Sequence, residues 1–155
     1  IVAQIVKRFQ KQDAIVIYVP DHGEECYEEN RGFICRNHSA EIDWPLAHYG
    51  FEIPFWIYCS PKYIRNHRDI YRQIHKAKDK RFMTDALPHL LLYLAGIETP
   101  TYKEEYNILS PKYDEMRPRI LKNSADYDKL RDAHLEKIKK EESKKVKKKG
   151  ETDYE

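Results

Sequence analysis

Apolar residues at Ile1, Val2, Ile5, Val6 and Phe9 recur at helical spacing, with Lys7, Arg8, Gln10 and Lys11 on the other side. The pattern predicts an amphipathic helix at the start of the chain. Ala14-Ile15-Val16-Ile17-Tyr18-Val19 follows as an unbroken, β-branched run that Pro20 ends. Such a run predicts a strand buried on both faces. A helix leading into a fully apolar strand is half of a βαβ unit, so a parallel-rich sheet covered by helices is expected. A second run, Ile53-Pro54-Phe55-Trp56-Ile57-Tyr58-Cys59, reads as another strand, with Pro54 at its start. Ser60-Pro61 then opens a helix through Tyr63, Ile64, His67, Ile70, Tyr71 and Ile74 to about Lys78. Thr84 is placed to cap a further helix, with Asp85 in its first turn, Pro88 close behind, Leu87, Leu90, Leu91 and Leu94 on its buried face and Gly96 as its stop. Beyond Thr99 come Tyr-rich charged segments and a charged helix from about Asp126 to Lys140. Residues 21–51 show little periodicity and read as a long loop, and loops of that length in compact domains commonly carry function.

Composition narrows the picture. The chain has 155 residues, 41% hydrophobic and 35% charged, which suits one globular domain with a heavily solvated surface. Its longest apolar candidate, Ala86 to Ile97, is interrupted by Pro88 and His89. That is short of the roughly 18–20 residues of a membrane-spanning helix. No signal peptide is visible, and the first residue is Ile1, so the chain is expected to be a processed product or a piece of something longer. The net charge of +2 conceals an asymmetry: Lys137 to Lys149 hold eight Lys and two Glu, a local +6, against −4 elsewhere. The segment contains no Arg or aromatic residue of the kind that reads nucleic acid, so it is taken as a solvated helix end, and no nucleic-acid partner is expected. Three cysteines, Cys26, Cys35 and Cys59, permit one disulfide or none and do not fix the compartment.

The chemistry sits at Asp21-His22-Gly23-Glu24-Glu25, directly after the first predicted strand. Ligands of α/β sheets usually bind beyond the carboxyl ends of strands. A carboxylate oxygen and an imidazole nitrogen side by side suit zinc. Gly23 would let the backbone turn so that both side chains face one point, and Glu24 or Glu25 would hold the imidazole by a hydrogen bond. An acidic turn carrying a solvated His is the plain alternative. His38 lies in the same loop, and His22-x3-Cys26 with Cys35-x2-His38 forms a competing four-ligand pattern for a structural zinc site. His48, His67, His75, His89 and His134 have no partner pattern and are read as structural or solvated.

Several blocks resemble one family. Ile15 through Glu25 is similar to the strand and metal motif of the sulfatase-like phosphoethanolamine transferases of the alkaline phosphatase superfamily. Phe33-Ile34-Cys35-Arg36-Asn37-His38 resembles the segment that carries a later active-site His, and Phe51 through Ile57 the strand that follows it. Arg81 through Ile97 resembles the family's C-terminal helix, and Asn107-Ile108-Leu109-Ser110 with Arg117-Pro118-Arg119 continue the series. The similarity spans roughly residues 1–130.

The resemblance implies an alkaline-phosphatase-like α/β/α sandwich, of which this chain is the C-terminal portion. It divides the chain into a piece of the catalytic domain at 1–130 and a charged, lysine-rich tail at 131–155. It implies a zinc-dependent transferase in which a Thr nucleophile attacks the phosphorus of phosphatidylethanolamine, forms a covalent phosphoethanolamine-threonine, and passes the group to a lipid or glycan hydroxyl. Asp21 and His22 would ligate zinc, and His38 would meet the phosphoryl group or a second metal. The family's nucleophile and its first acidic zinc ligand lie well upstream of its Asp-His step. The threonines here, Thr84, Thr99, Thr101 and Thr152, are all downstream, so no catalytic nucleophile is expected in this chain. The membrane-spanning part is likewise expected upstream, with the anchor in the inner membrane and the catalytic part in the periplasm. A sulfatase or phosphodiesterase of the same superfamily would use the same residues with water as acceptor. A module with only a structural Cys/His zinc site is the non-catalytic alternative.

Overall fold

The computed structural model describes residues 1–35 and 41–152. They form two compact units, one from residues 1–19 and 54–117, the other from 20–53 and 118–155.

In the first unit, α1 (Val2–Phe9) leads into β1 (Ile15–Tyr18), which pairs with β4 (Trp56–Cys59). The pairing is antiparallel, with Ile15 opposite Cys59 and Tyr18 opposite Trp56, whose rings stack at 5.3 Å. The expected parallel-rich sheet is therefore not what these strands form: each of the three sheets among the described residues is an antiparallel pair. The physical reason is direction. β4 returns alongside β1 instead of crossing over to run with it. Nor is β1 buried on both faces, since all four of its residues are only half covered. The apolar stripe of α1 is also partly open, with Val2, Val6 and Phe9 half-buried and Ile1 and Ile5 exposed.

Ser60 fixes the turn out of β4. Its hydroxyl donates to the Gln12 carbonyl at 2.5 Å and accepts from the Tyr63 amide at 3.0 Å, capping α3 (Pro61–Asn66). The single helix expected as far as Lys78 is broken at His67, where ψ of 50° leaves the helical region, and resumes as α4 (Arg68–Ala77). Asp13 holds the break from both sides, accepting from Asn66 Nδ2 at 2.7 Å and pairing with His67 Nε2 at 3.3 Å. Thr84 does not act as a cap; it begins a single 3₁₀ turn that leads into α5 (Leu87–Ala95). Gly96 ends α5 in the left-handed region at φ 66°, as expected, and the Ile97 amide closes on the Leu92 carbonyl at 2.9 Å. Leu90 is fully buried with Ala77, Ile108 and Leu109, whereas Leu91, expected on that face, is exposed. Asn107 is buried because its side chain is satisfied: it donates to Tyr102 Oη at 2.9 Å and accepts from the Leu109 amide at 3.1 Å.

The second unit contains what the sequence pattern left as a loop. β2 (Glu25–Cys26) pairs with β3 (Phe33–Cys35) across a bulge, and α2 (Trp44–Phe51) follows. Asp43 caps α2 by accepting from the Leu46 amide at 3.1 Å, with Pro45 in the first turn. A hairpin of β5 (Ile120–Leu121) and β6 (Ala125–Asp126) turns through Lys122 and Asn123, both left-handed, into α6 (Tyr127–Thr152). The core joins Ile42, Leu46 and Ala47 to Leu121 and Tyr127. No helix among the described residues is long and apolar enough to cross a membrane.

Candidate metal centre

The Asp21-His22-Gly23 loop is fastened to the end of α2. The Gly23 amide donates to the Gly50 carbonyl at 3.0 Å. A Cβ at position 23 would collide with the Tyr49 carbonyl oxygen, a backbone atom that cannot swing aside. Close approach, rather than an unusual turn conformation, is thus what the glycine supplies.

His22 Nδ1 lies 2.8 Å from the Gly23 carbonyl oxygen. A carbonyl only accepts, so Nδ1 carries the proton and the Nε2 of a neutral ring presents its lone pair. That Nε2 stands 3.4 Å from Asp21 Oδ2. The His22 side chain is 24% exposed and the Asp21 side chain 85% exposed, so the pair opens to solvent on the carboxylate side. The expected carboxylate support of the imidazole is replaced by the backbone carbonyl. Glu24 is instead near the Cys26 thiol, and Glu25 is buried against Arg31, its Oε1 3.0 Å from Arg31 Nε. Burial raises the Glu25 carboxyl above its ordinary range, with Arg31 opposing the rise.

A carboxylate oxygen and an imidazole nitrogen side by side are two of the ligand types that zinc takes. Two ligands of a tetrahedral zinc, at about 2.0–2.2 Å each, stand about 3.4 Å apart. The Asp21–His22 separation of 3.4 Å fits two positions of that geometry, and no third ligand joins them among the described residues. His38 lies outside the described residues. His22, Cys26 and Cys35 do not gather as the four-ligand pattern requires: no group of three or more His, Cys, Asp or Glu among the described residues is arranged to hold a metal. All three cysteines are unpaired thiols, and burial raises the Cys59 thiol.

Sequence reasoning missed a second polar cluster in this unit. Glu52 Oε1 accepts from the Tyr127 hydroxyl and lies 2.9 Å from His48 Nδ1. Burial raises the Glu52 carboxyl, but the adjacent His48 and the Tyr127 hydroxyl outweigh it and hold it below the ordinary range. The Tyr127 hydroxyl is pushed up to about 12 by burial and by its bond to Glu52. Trp44 stacks between His48 at 5.5 Å and His134 at 5.1 Å, so the cluster ties α2 to α6. Its signal in the sequence was the spacing of Trp44, His48 and Phe51, i, i+4 and i+7 of a helix, which puts the three rings on one face. The other unit holds a cavity of about 350 Å³ with Phe55, Ile57, Ile74, Phe82 and Leu109 in its wall, a lining suited to packing more than to chemistry.

No protein-family model and no curated protein matches the chain. Among solved structures it is similar to the C-terminal periplasmic domain of EcEptC from Escherichia coli, a phosphoethanolamine transferase, at 27% identity and a TM-score of 0.64. A second structure of the same domain, in complex with Zn, matches equally, with 27% identity and a TM-score of 0.64. The match covers 83% of this chain and 36% of that domain, so the chain spans little more than a third of its structural relatives. In fold as in its sequence blocks, the chain resembles the C-terminal periplasmic domain of a phosphoethanolamine transferase.

Proposed function

We propose that the chain is the C-terminal portion, residues 1–130 with a charged tail at 131–155, of the catalytic domain of a zinc-dependent phosphoethanolamine transferase with an alkaline-phosphatase-like fold. The observation that carries the reading is the Asp21–His22 pair, a carboxylate oxygen and an imidazole nitrogen 3.4 Å apart in a chain similar to that domain. Asp21 Oδ2 and His22 Nε2 are the atoms that would hold the ion. The Gly23 carbonyl keeps the imidazole in the required tautomer, and the Gly50 carbonyl keeps the Gly23 peptide in place. Bound there, zinc supplies Lewis acidity and positive charge for the phosphoryl oxygens. The zinc-bound structure of the similar domain supports the choice of metal. His38 is assigned to the phosphoryl group or a second metal by resemblance alone. The donor would be phosphatidylethanolamine and the acceptor a lipid or glycan hydroxyl, with the catalytic part in the periplasm and an anchor in the inner membrane supplied by the parent protein.

The test is an assay of the parent protein with head-group-labelled phosphatidylethanolamine. The reading predicts label on a protein threonine and then on an acceptor, with both steps abolished by Asp21→Ala and by His22→Ala. Release of the label to water without an acceptor product would make the parent a hydrolase. Full activity in both variants would remove the site.

A further inference from the structure

Glu25 is the buried charge that the proposed chemistry does not use. Its side chain is fully covered, and neither oxygen has a partner of hydrogen-bonding geometry among the described residues. A carboxylate in that position is costly unless a cation lies beside it, and Arg31 is that cation, Nε 3.0 Å from Oε1. Arg31 continues outward: its Nη1 donates to Asp43 Oδ2 at 2.6 Å. The other Asp43 oxygen caps α2 through the Leu46 amide. The line Glu25–Arg31–Asp43 therefore runs from the start of β2 to the N-terminus of α2, and the C-terminal end of the same helix receives the Gly23 amide.

The metal loop is thus clamped to one helix at two points. Gly23 N–H is fixed by Gly50, and Glu25, two residues on, is fixed through Arg31 to Asp43. Between these anchors lies the Gly23 carbonyl, 2.8 Å from His22 Nδ1. Glu25 is not itself part of any three-ligand group among the described residues.

We infer that Glu25, Arg31 and Asp43 form a positioning relay that sets the Gly23 carbonyl, and through it the His22 imidazole, for metal capture. The inference rests on the zinc reading of Asp21 and His22. Groups that orient a ligating His typically change metal affinity about ten- to hundredfold when removed. Arg31→Lys keeps the charge but loses the fork that spans two carboxylates.

The test uses the whole chain with ¹⁵N-labelled histidine, following the His22 ring nitrogens by NMR before and during titration with zinc chloride, with thermal melting alongside. Wild type is expected to show the Nδ1–H tautomer without metal and a zinc-dependent shift at Nε2. Glu25→Gln is expected to release the tautomer bias and weaken zinc binding about tenfold or more, and Arg31→Lys to act in the same direction. Because a broken buried pair can unfold the unit, the double change Glu25→Met with Arg31→Met supplies a folded control, apolar replacement of such pairs being often neutral. It is expected to melt near wild type yet bind zinc as weakly as Glu25→Gln. If the folded variants keep both tautomer and zinc affinity within twofold of wild type, the relay is refuted. If zinc leaves wild-type His22 unmoved while its tautomer shows the same dependence on Glu25, the relay stands as orientation of the ring and the zinc reading fails.

Discussion

The two units differ in how much apolar packing surrounds their buried residues. The first is built on apolar contact: Leu90 is sealed among Ala77, Ile108 and Leu109, and the Phe55 and Phe82 rings stack at 4.9 Å. The second surrounds its buried residues with fewer apolar neighbours, and beside them stand the polar fastenings Glu25–Arg31–Asp43, Glu52–Tyr127 and Arg119–Asp128; the first unit has such fastenings too, Asp13–Asn66 and Arg117–Asp85 among them. The candidate metal loop belongs to the second unit. Apolar burial is tolerant and non-directional, whereas a polar fastening holds one atom in one direction, and metal ligands need the latter.

Substitutions can break this contrast in order of size. Leu90→Ala should cost the most, about 2–5 kcal/mol, by leaving a cavity in the first unit, measured by chemical denaturation. Each unit carries one tryptophan, Trp56 in the first and Trp44 in the second, so fluorescence of Trp56→Phe and Trp44→Phe backgrounds assigns each loss to its unit. Gly23→Ala should cost about 1–3 kcal/mol, because a methyl group meets the Tyr49 carbonyl, and the loss should register at Trp44. Ser60→Ala should remove about 1–2 kcal/mol by uncapping α3, registering at Trp56. Tyr127→Phe should cost about 1 kcal/mol by removing the hydroxyl bond to Glu52.

Acid sharpens the last of these. The Glu52 carboxyl is held below its ordinary value of 4.5, so the folded state binds this proton less readily than the unfolded one. Its contribution is complete above pH 4.5 and disappears as pH falls from there through the lowered folded value. Stability read at Trp44 should therefore fall in that acid window, and Tyr127→Phe should shrink the drop.

What the sequence disclosed follows what apolar patterning can record. β1, β4 and α5 were legible as elements because runs and periods of apolar residues mark strand and helix, although the burial they imply was only partly met in β1 and at Leu91. The break at His67 was not, since it depends on Asp13, a residue distant in sequence whose role is invisible to a helical period. Strand direction failed for a related reason: an apolar run states that a strand exists, not which neighbour it pairs with. α2 was missed although Asp43 and Pro45 mark its start and Trp44, His48 and Phe51 keep helical spacing, because apolar and aromatic residues run almost unbroken from Trp44 to Phe51 and leave no polar face to contrast with them. Asp21 and His22 stood out as residue types in sequence, but their mutual distance and the carbonyl that orients His22 came only from the fold.

The central claim is that Asp21 and His22, rather than the cysteines, take the metal. Zinc binding to the chain, measured by calorimetry in four variants, tests it directly. The account predicts that Cys26→Ser and Cys35→Ser bind zinc as wild type does, while Asp21→Ala and His22→Ala lose it. Zinc binding that disappears with either cysteine and persists without Asp21 would contradict it.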